Sequence, residues 1–119
     1  MLEATVEAYL IKKVHDLGGQ IRKVRWIGRR GAPDRLVLFD KKATGIESFW
    51  VELKRPTGRV TEIQWREIQL LTASGFHAHI FRSKCEIDDF FSDVTRPHWY
   101  RAINSVHNLM ENQPHAKRK

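Results

Sequence analysis

With 119 residues, 41% of them hydrophobic, the chain has the length of one domain and apolar side chains enough for a modest core. Its formal net charge of +7 favours a polyanionic partner, nucleic acid before membrane, and no apolar run approaches the roughly 18 residues that a membrane helix needs. One cysteine, Cys85, excludes an internal disulfide, and the first residues lack the basic and apolar regions of a secretion signal, so an intracellular protein is expected.

Leu2, Val6, Leu10, Val14 and Leu17 recur by threes and fours, the stripe of an amphipathic helix over 2–17 that Gly18-Gly19 stops. Glu3 and Glu7 lie one turn apart on it, Glu7 at the margin of the stripe; ordinary solvated glutamates would look the same. Gln20–Ile27 alternates as a strand with a partly basic face. Gly28–Pro33 reads as a loop whose glycines would let the backbone approach something closely, such as a phosphate chain, or simply turn.

Leu36–Phe39 and Phe49–Leu53 are short apolar runs of strand character, joined by a polar hairpin loop over Asp40–Gly45. After a second loop, Arg55–Arg59, Thr61 caps a helix over about Glu62–Ser74 that should turn Ile63, Ile68, Leu70 and Leu71 to the core before Gly75. Phe76–Phe81 alternates as another strand, and Glu86–Val94 reads as a short helix carrying Ile87, Phe90 and Phe91. Pro97 could open an amphipathic helix with Trp99, Ile103, Val106 and Met110 as its stripe. The expected organisation is therefore a core over 1–94, an amphipathic helix within 95–112 and a basic, disordered tail over 113–119.

The chemistry concentrates at the two central strands. Glu52 and Lys54, two apart, share a face, and the hairpin can bring Asp34 beside them. Two carboxylates and a lysine against an apolar sheet are costly unless a cation or an anionic substrate compensates them. Asp34 and Glu52 offer the hard oxygens that Mg²⁺ or Mn²⁺ prefers, with the main-chain carbonyl of Leu53 as an added ligand. Lys54 could orient a water or stabilise developing charge, and Gln64, in the first turn of the next helix, can return to the carboxylates. These parts suffice for phosphodiester hydrolysis. Lys23, Arg25, Arg29, Arg30 and Arg35 crowd one segment, and Arg55 and Arg59 follow the second strand; all are candidate contacts to nucleic acid, a solvated basic surface being the plain alternative. There is no nucleophile elbow, P-loop or dinucleotide fingerprint, and His77 and His79 lack further Cys or His at metal-ligand spacing.

Pro33-Asp34 followed by Glu52-Leu53-Lys54 resembles the Pro-Asp…(Asp/Glu)-x-Lys core of the restriction-endonuclease-like nucleases. The longer string, Gly31 to Arg35, Val51 to Gly58, then Gln64, is similar to the virus-type replication-repair nuclease (VRR-Nuc) family in particular, over roughly residues 3–82. The resemblance implies an α/β fold with a restriction-endonuclease-like core, a central mixed β-sheet flanked by helices. It implies Asp34 and Glu52 as metal ligands, Lys54 as catalytic, Gln64 as the helix glutamine beside the site, and Glu7 as the acidic residue of the first helix and a further candidate ligand, with Glu3 a poorer substitute. It further implies a homodimeric endonuclease dependent on Mg²⁺ or Mn²⁺ and acting on branched DNA, four-way (Holliday) junctions above all. Cleavage of flaps or linear duplex, or a non-catalytic nucleic-acid-binding module, are the competing readings.

Overall fold

In a computed structural model, described over residues 3–96, four strands form one mixed sheet with helices on both faces. The elements run α1 (Glu3–Asp16), β1 (Gln20–Lys23), β2 (Arg35–Leu38), α2 (Lys41–Thr44), β3 (Phe49–Leu53), α3 (Glu62–Ala73), β4 (Ala78–Phe81) and α4 (Lys84–Val94). The strands lie in the order β1-β2-β3-β4; the first two pairs are antiparallel and β3/β4 is parallel. The crossover through α3 is what a parallel pair requires, because a tight hairpin cannot join parallel strands.

One face of the sheet carries the core. Val6, Leu10 and Val14 of α1 meet Val37, Phe49, Val51, Leu53 and Phe81 of the sheet and Ile87 and Phe91 of α4. Phe49 and Phe91, both fully buried, contribute about 3 kcal/mol each by burial. The other face is covered in part by α3, through Ile68.

The hairpin between β2 and β3 contains a helical turn where a plain loop is expected. Asp40 accepts from the Lys42 and Ala43 amides and starts α2, and Gly45, at φ +76°, ends it in the left-handed region. The first strand is shorter than the alternation over Gln20–Ile27 predicts: pairing stops at Lys23 and Ile27 is 92% exposed. One further bond of the ladder follows, from the Val24 amide to the Asp34 carbonyl, and the Trp26 indole N–H then donates to the Pro33 carbonyl. The last strand likewise begins at Ala78, with Phe76 exposed beside the α3 terminus. On α3, Ile68 is buried as expected, but Ile63 and Leu70 are exposed and Glu67 is buried. A single helix over a four-stranded sheet shields only one narrow stripe. The amphipathic helix expected after Pro97 and the tail over 113–119 lie outside the described residues.

Candidate active site

The site forms where β2 and β3 end. Arg35 pairs with Val51, and the register continued by one residue sets Asp34 opposite Glu52. The Val24 amide donates to the Asp34 carbonyl at 2.8 Å, so residue 34 still runs as extended chain beside β1. Directly opposed residues of an antiparallel pair share a face, with Cβ atoms about 5 Å apart. Asp34 and Glu52 therefore project to the face that α3 covers, while Arg35 and Val51 project to the α1 face.

Glu52 is fixed from two sides. Its Oε2 accepts from Gln64 Nε2 at 3.2 Å and lies 3.9 Å from Lys54 Nζ. Gln64 is itself immobilised, because its Oε1 accepts from the Thr61 amide while its own amide donates to Thr61 Oγ1, a reciprocal helix cap. The glutamine of the cap that starts α3 thus also donates to Glu52. The Glu52 and Lys54 side chains are only 15% and 17% exposed, so the screening that weakens surface ion pairs is reduced here. Lys54 is anchored through its backbone, its amide donating to the Phe81 carbonyl at 3.0 Å.

That bond directs the Leu53 carbonyl. Across a trans peptide, the N–H of residue 54 and the C=O of residue 53 point to opposite sides of the strand. With Lys54 N–H aimed at β4, Leu53 C=O is aimed at β2, where the continued register places Pro33. Proline has no N–H, so the ladder supplies no donor to this carbonyl from that position. Among the described residues no three His, Cys, Asp or Glu side chains group as a metal cage. Mg²⁺ does not need one, since it ordinarily takes one or two carboxylates and fills its octahedron with water and phosphate oxygens. Asp34, Glu52 and the Leu53 carbonyl are donors of that kind, with the last left open by Pro33.

Arg35, expected as a DNA contact, is placed otherwise. Its side chain is 12% exposed; Nε and Nη2 bind Glu7 Oε2 at 2.7 and 2.5 Å, and Nη1 binds Asp34 Oδ1 at 2.7 Å. Burial alone would lower its pKa, but the hydrogen bond it donates to Glu7 and the charges of Asp34 and Glu7 outweigh that, and the net direction is upward. Glu7 of α1 is brought to Arg35 rather than to the Glu52 face. Arg29 is likewise engaged: its guanidinium binds the buried Glu67 of α3. Lys23, Arg25, Arg30, Arg55 and Arg59 are exposed, Lys23 and Arg25 at the end of β1, Arg30 in loop 28–33 and the last two in the loop after β3.

Gly31 also approaches protein, not open space. At φ +84° it lies against the first turn of α3, and a Cβ there would stand 2.5 Å from Ile63 Cγ2 and 3.0 Å from the Ile63 carbonyl carbon. Together with Arg29–Glu67, this contact pins loop 28–33 to α3 and sets the entry of Pro33-Asp34 into the sheet. The Arg29–Glu67 and Trp26–Pro33 contacts were not foreseen from the sequence. Period two alone does place Arg35 on the face opposite Asp34.

No protein-family profile matches the chain. Over 82 residues, 69% of this chain and 84% of the relative, it is 34% identical to p44 of Acyrthosiphon pisum secondary endosymbiont phage 1, a protein named as a candidate nuclease. A solved structure described as a VRR_NUC domain superposes with a TM-score of 0.67 at 27% identity, covering 76% of this chain and 94% of that one. The mixed sheet, the helices on its two faces and these two likenesses agree: the chain belongs to the VRR-Nuc family of nucleases.

Proposed function

We propose that this nuclease is a DNA endonuclease dependent on Mg²⁺ or Mn²⁺, with Asp34, Glu52 and the Leu53 carbonyl as metal ligands and Lys54 as the catalytic cation. The observation that carries the reading is the end of the β2/β3 ladder, where the two carboxylates oppose each other beside a carbonyl that proline leaves without a ladder donor. A bound divalent ion would polarise the phosphoryl oxygen and lower the pKa of a coordinated water. Lys54 sits where it can hold the attacking water or meet charge building on the phosphate oxygens. Gln64 orients Glu52 by donating to its Oε2. Glu7 acts at one remove, through Arg35 onto Asp34.

The substrate reading is branched DNA, four-way junctions above all, cut by a homodimer whose paired sites address paired strands. Residues 1–94 form the nuclease core in this reading. Its support is the family, together with exposed basic residues, Lys23 and Arg25 beside Asp34, Arg30 in the loop before it, and Arg55 and Arg59 beyond Lys54. The test is cleavage of a labelled four-way junction, a 5′ flap and plain duplex with Mg²⁺, Mn²⁺ or chelator, alongside Glu52→Ala. Paired cuts near the junction, dependent on metal and absent in the variant, are expected. Cuts mainly on flap or duplex would overturn the junction role, and unchanged cleavage by Glu52→Ala would overturn the site.

A further inference from the structure

A cleft of about 440 Å³ opens beside Asp34 on the β1 side, away from Gln64, lined by Lys23, Val24, Arg25, Trp26, Arg29 and Asp34 itself. Its wall is tied to the end of β2 at two points. The Val24 amide donates to the Asp34 carbonyl and the Trp26 indole Nε1–H to the Pro33 carbonyl, both at 2.8 Å. Trp26 also packs on Trp50 of β3, with ring centroids 5.1 Å apart and planes at 45°. The indole N–H is thus spent inward, and the partly exposed surface that the ring offers to the cleft is aromatic carbon. The exposed Lys23 and Arg25 border it, and Arg29 is drawn partly aside by Glu67. A purely structural tryptophan would account for the Pro33 bond and the Trp50 contact. It would not account for a cleft that Trp26 shares with Lys23, Arg25 and Asp34.

We propose that this cleft is a subsite for a nucleotide flanking the scissile phosphate, with the base unpaired and laid on Trp26 and the neighbouring phosphates on Lys23 and Arg25. The proposal rests on the reading of Asp34 as a residue at the scissile phosphate. A base inside a duplex has both faces covered by its neighbours, so only a base at a branch, nick or end can reach the indole. Selectivity for branched DNA would then arise within one subunit, from a step that needs a base already free of its stack. Stacking is indifferent to base identity, because every base has a π-face. The subsite therefore reads structure and not sequence.

The test compares Trp26→Phe with Trp26→Leu. Both lose the N–H bond to Pro33 and both leave part of the indole's space empty, but only phenylalanine keeps an aromatic face. Binding is measured in chelator to a four-way junction and to a fully paired duplex of the same sequence, with 2-aminopurine placed in turn at each nucleotide flanking the branch point. Wild type and Trp26→Phe should quench 2-aminopurine at one flanking position, and both should bind the junction about tenfold more tightly than Trp26→Leu, the scale of one base–aromatic stack. All three should bind the duplex alike. Equal junction affinity of the two variants, an equal loss on duplex, or no quenching at any position by the wild-type protein would overturn the subsite. Its failure separates from that of the nuclease reading: cleavage lost in Glu52→Gln with no quenching leaves the nuclease and removes the subsite. Quenching without cleavage under any metal leaves a base-binding cleft and removes the nuclease site.

Discussion

Arg35→Met separates a strut from a DNA contact at the residue where sequence and structure give different roles. The substitution keeps most of the alkyl stem and deletes a guanidinium that binds Glu7 through two nitrogens and Asp34 through a third. A hydrogen bond to a charged partner contributes about 1.5–3 kcal/mol when shielded. Glu7 is about one-third exposed and recovers part of that from water, and Asp34, half exposed, adds well under 1 kcal/mol. The expected loss is about 2 kcal/mol, which lowers the thermal midpoint by about 8 °C in a domain of this size. Thermal melting by circular dichroism, paired with duplex affinity at fixed salt, gives both readouts. A strut predicts the fall in Tm with duplex Kd kept within about twofold, whereas Arg59→Met, in the exposed loop after β3, should do the reverse. Preserved stability together with weakened binding and a shallower salt slope, by about 0.9 per phosphate contact, would refute the strut.

Gly31→Ala should destabilise by about 2 kcal/mol or more, since it places a Cβ in the left-handed region and drives it into Ile63; the urea midpoint should fall, and Ile63→Ala should restore only the part due to the clash. His79 lies among Phe49, Phe81 and Phe90, where burial first and the nearby charge of His77 second push its pKa below 6.5. The unfolded chain therefore binds the proton more readily, and stability, complete above about pH 6.5, should be lost as pH falls through that value toward the folded pKa. His79→Phe should flatten that slope in chemical unfolding followed from pH 7.5 to 5; an unchanged slope would show that His79 does not cause it.

The features legible in the sequence are those set by short-range pattern. The α1 stripe, the β3 run and the Thr61 cap each follow from spacing, and the cap brings Gln64 to Glu52 as its position implies. Asp34 opposite Glu52 follows from a hairpin joining two recognisable strands. What was hidden depends on partners distant in sequence. Glu67 has the appearance of a surface residue until Arg29, 38 residues earlier, covers it. Ile63 and Leu70 continue an apolar stripe that is wider than the strip of sheet beneath α3. Basic residues clustered in sequence part company in space: Arg35 is drawn inward by Glu7 and Asp34, while Lys23, opposite it in the β1/β2 register, and Arg25 remain at the surface.

Pro33 gives the end of the ladder a further meaning. A β-hairpin tends to zip as far as its donors allow, and any residue with an N–H at position 33 would offer one more rung to the Leu53 carbonyl. That rung would strengthen the sheet and consume an oxygen that the proposed chemistry uses. The proline works as a stopper: it halts the self-assembly of the sheet one pair early and leaves one backbone oxygen for a guest. Pro33 is itself fully buried, so the stopper is held by packing and does not depend on the loop before it staying rigid.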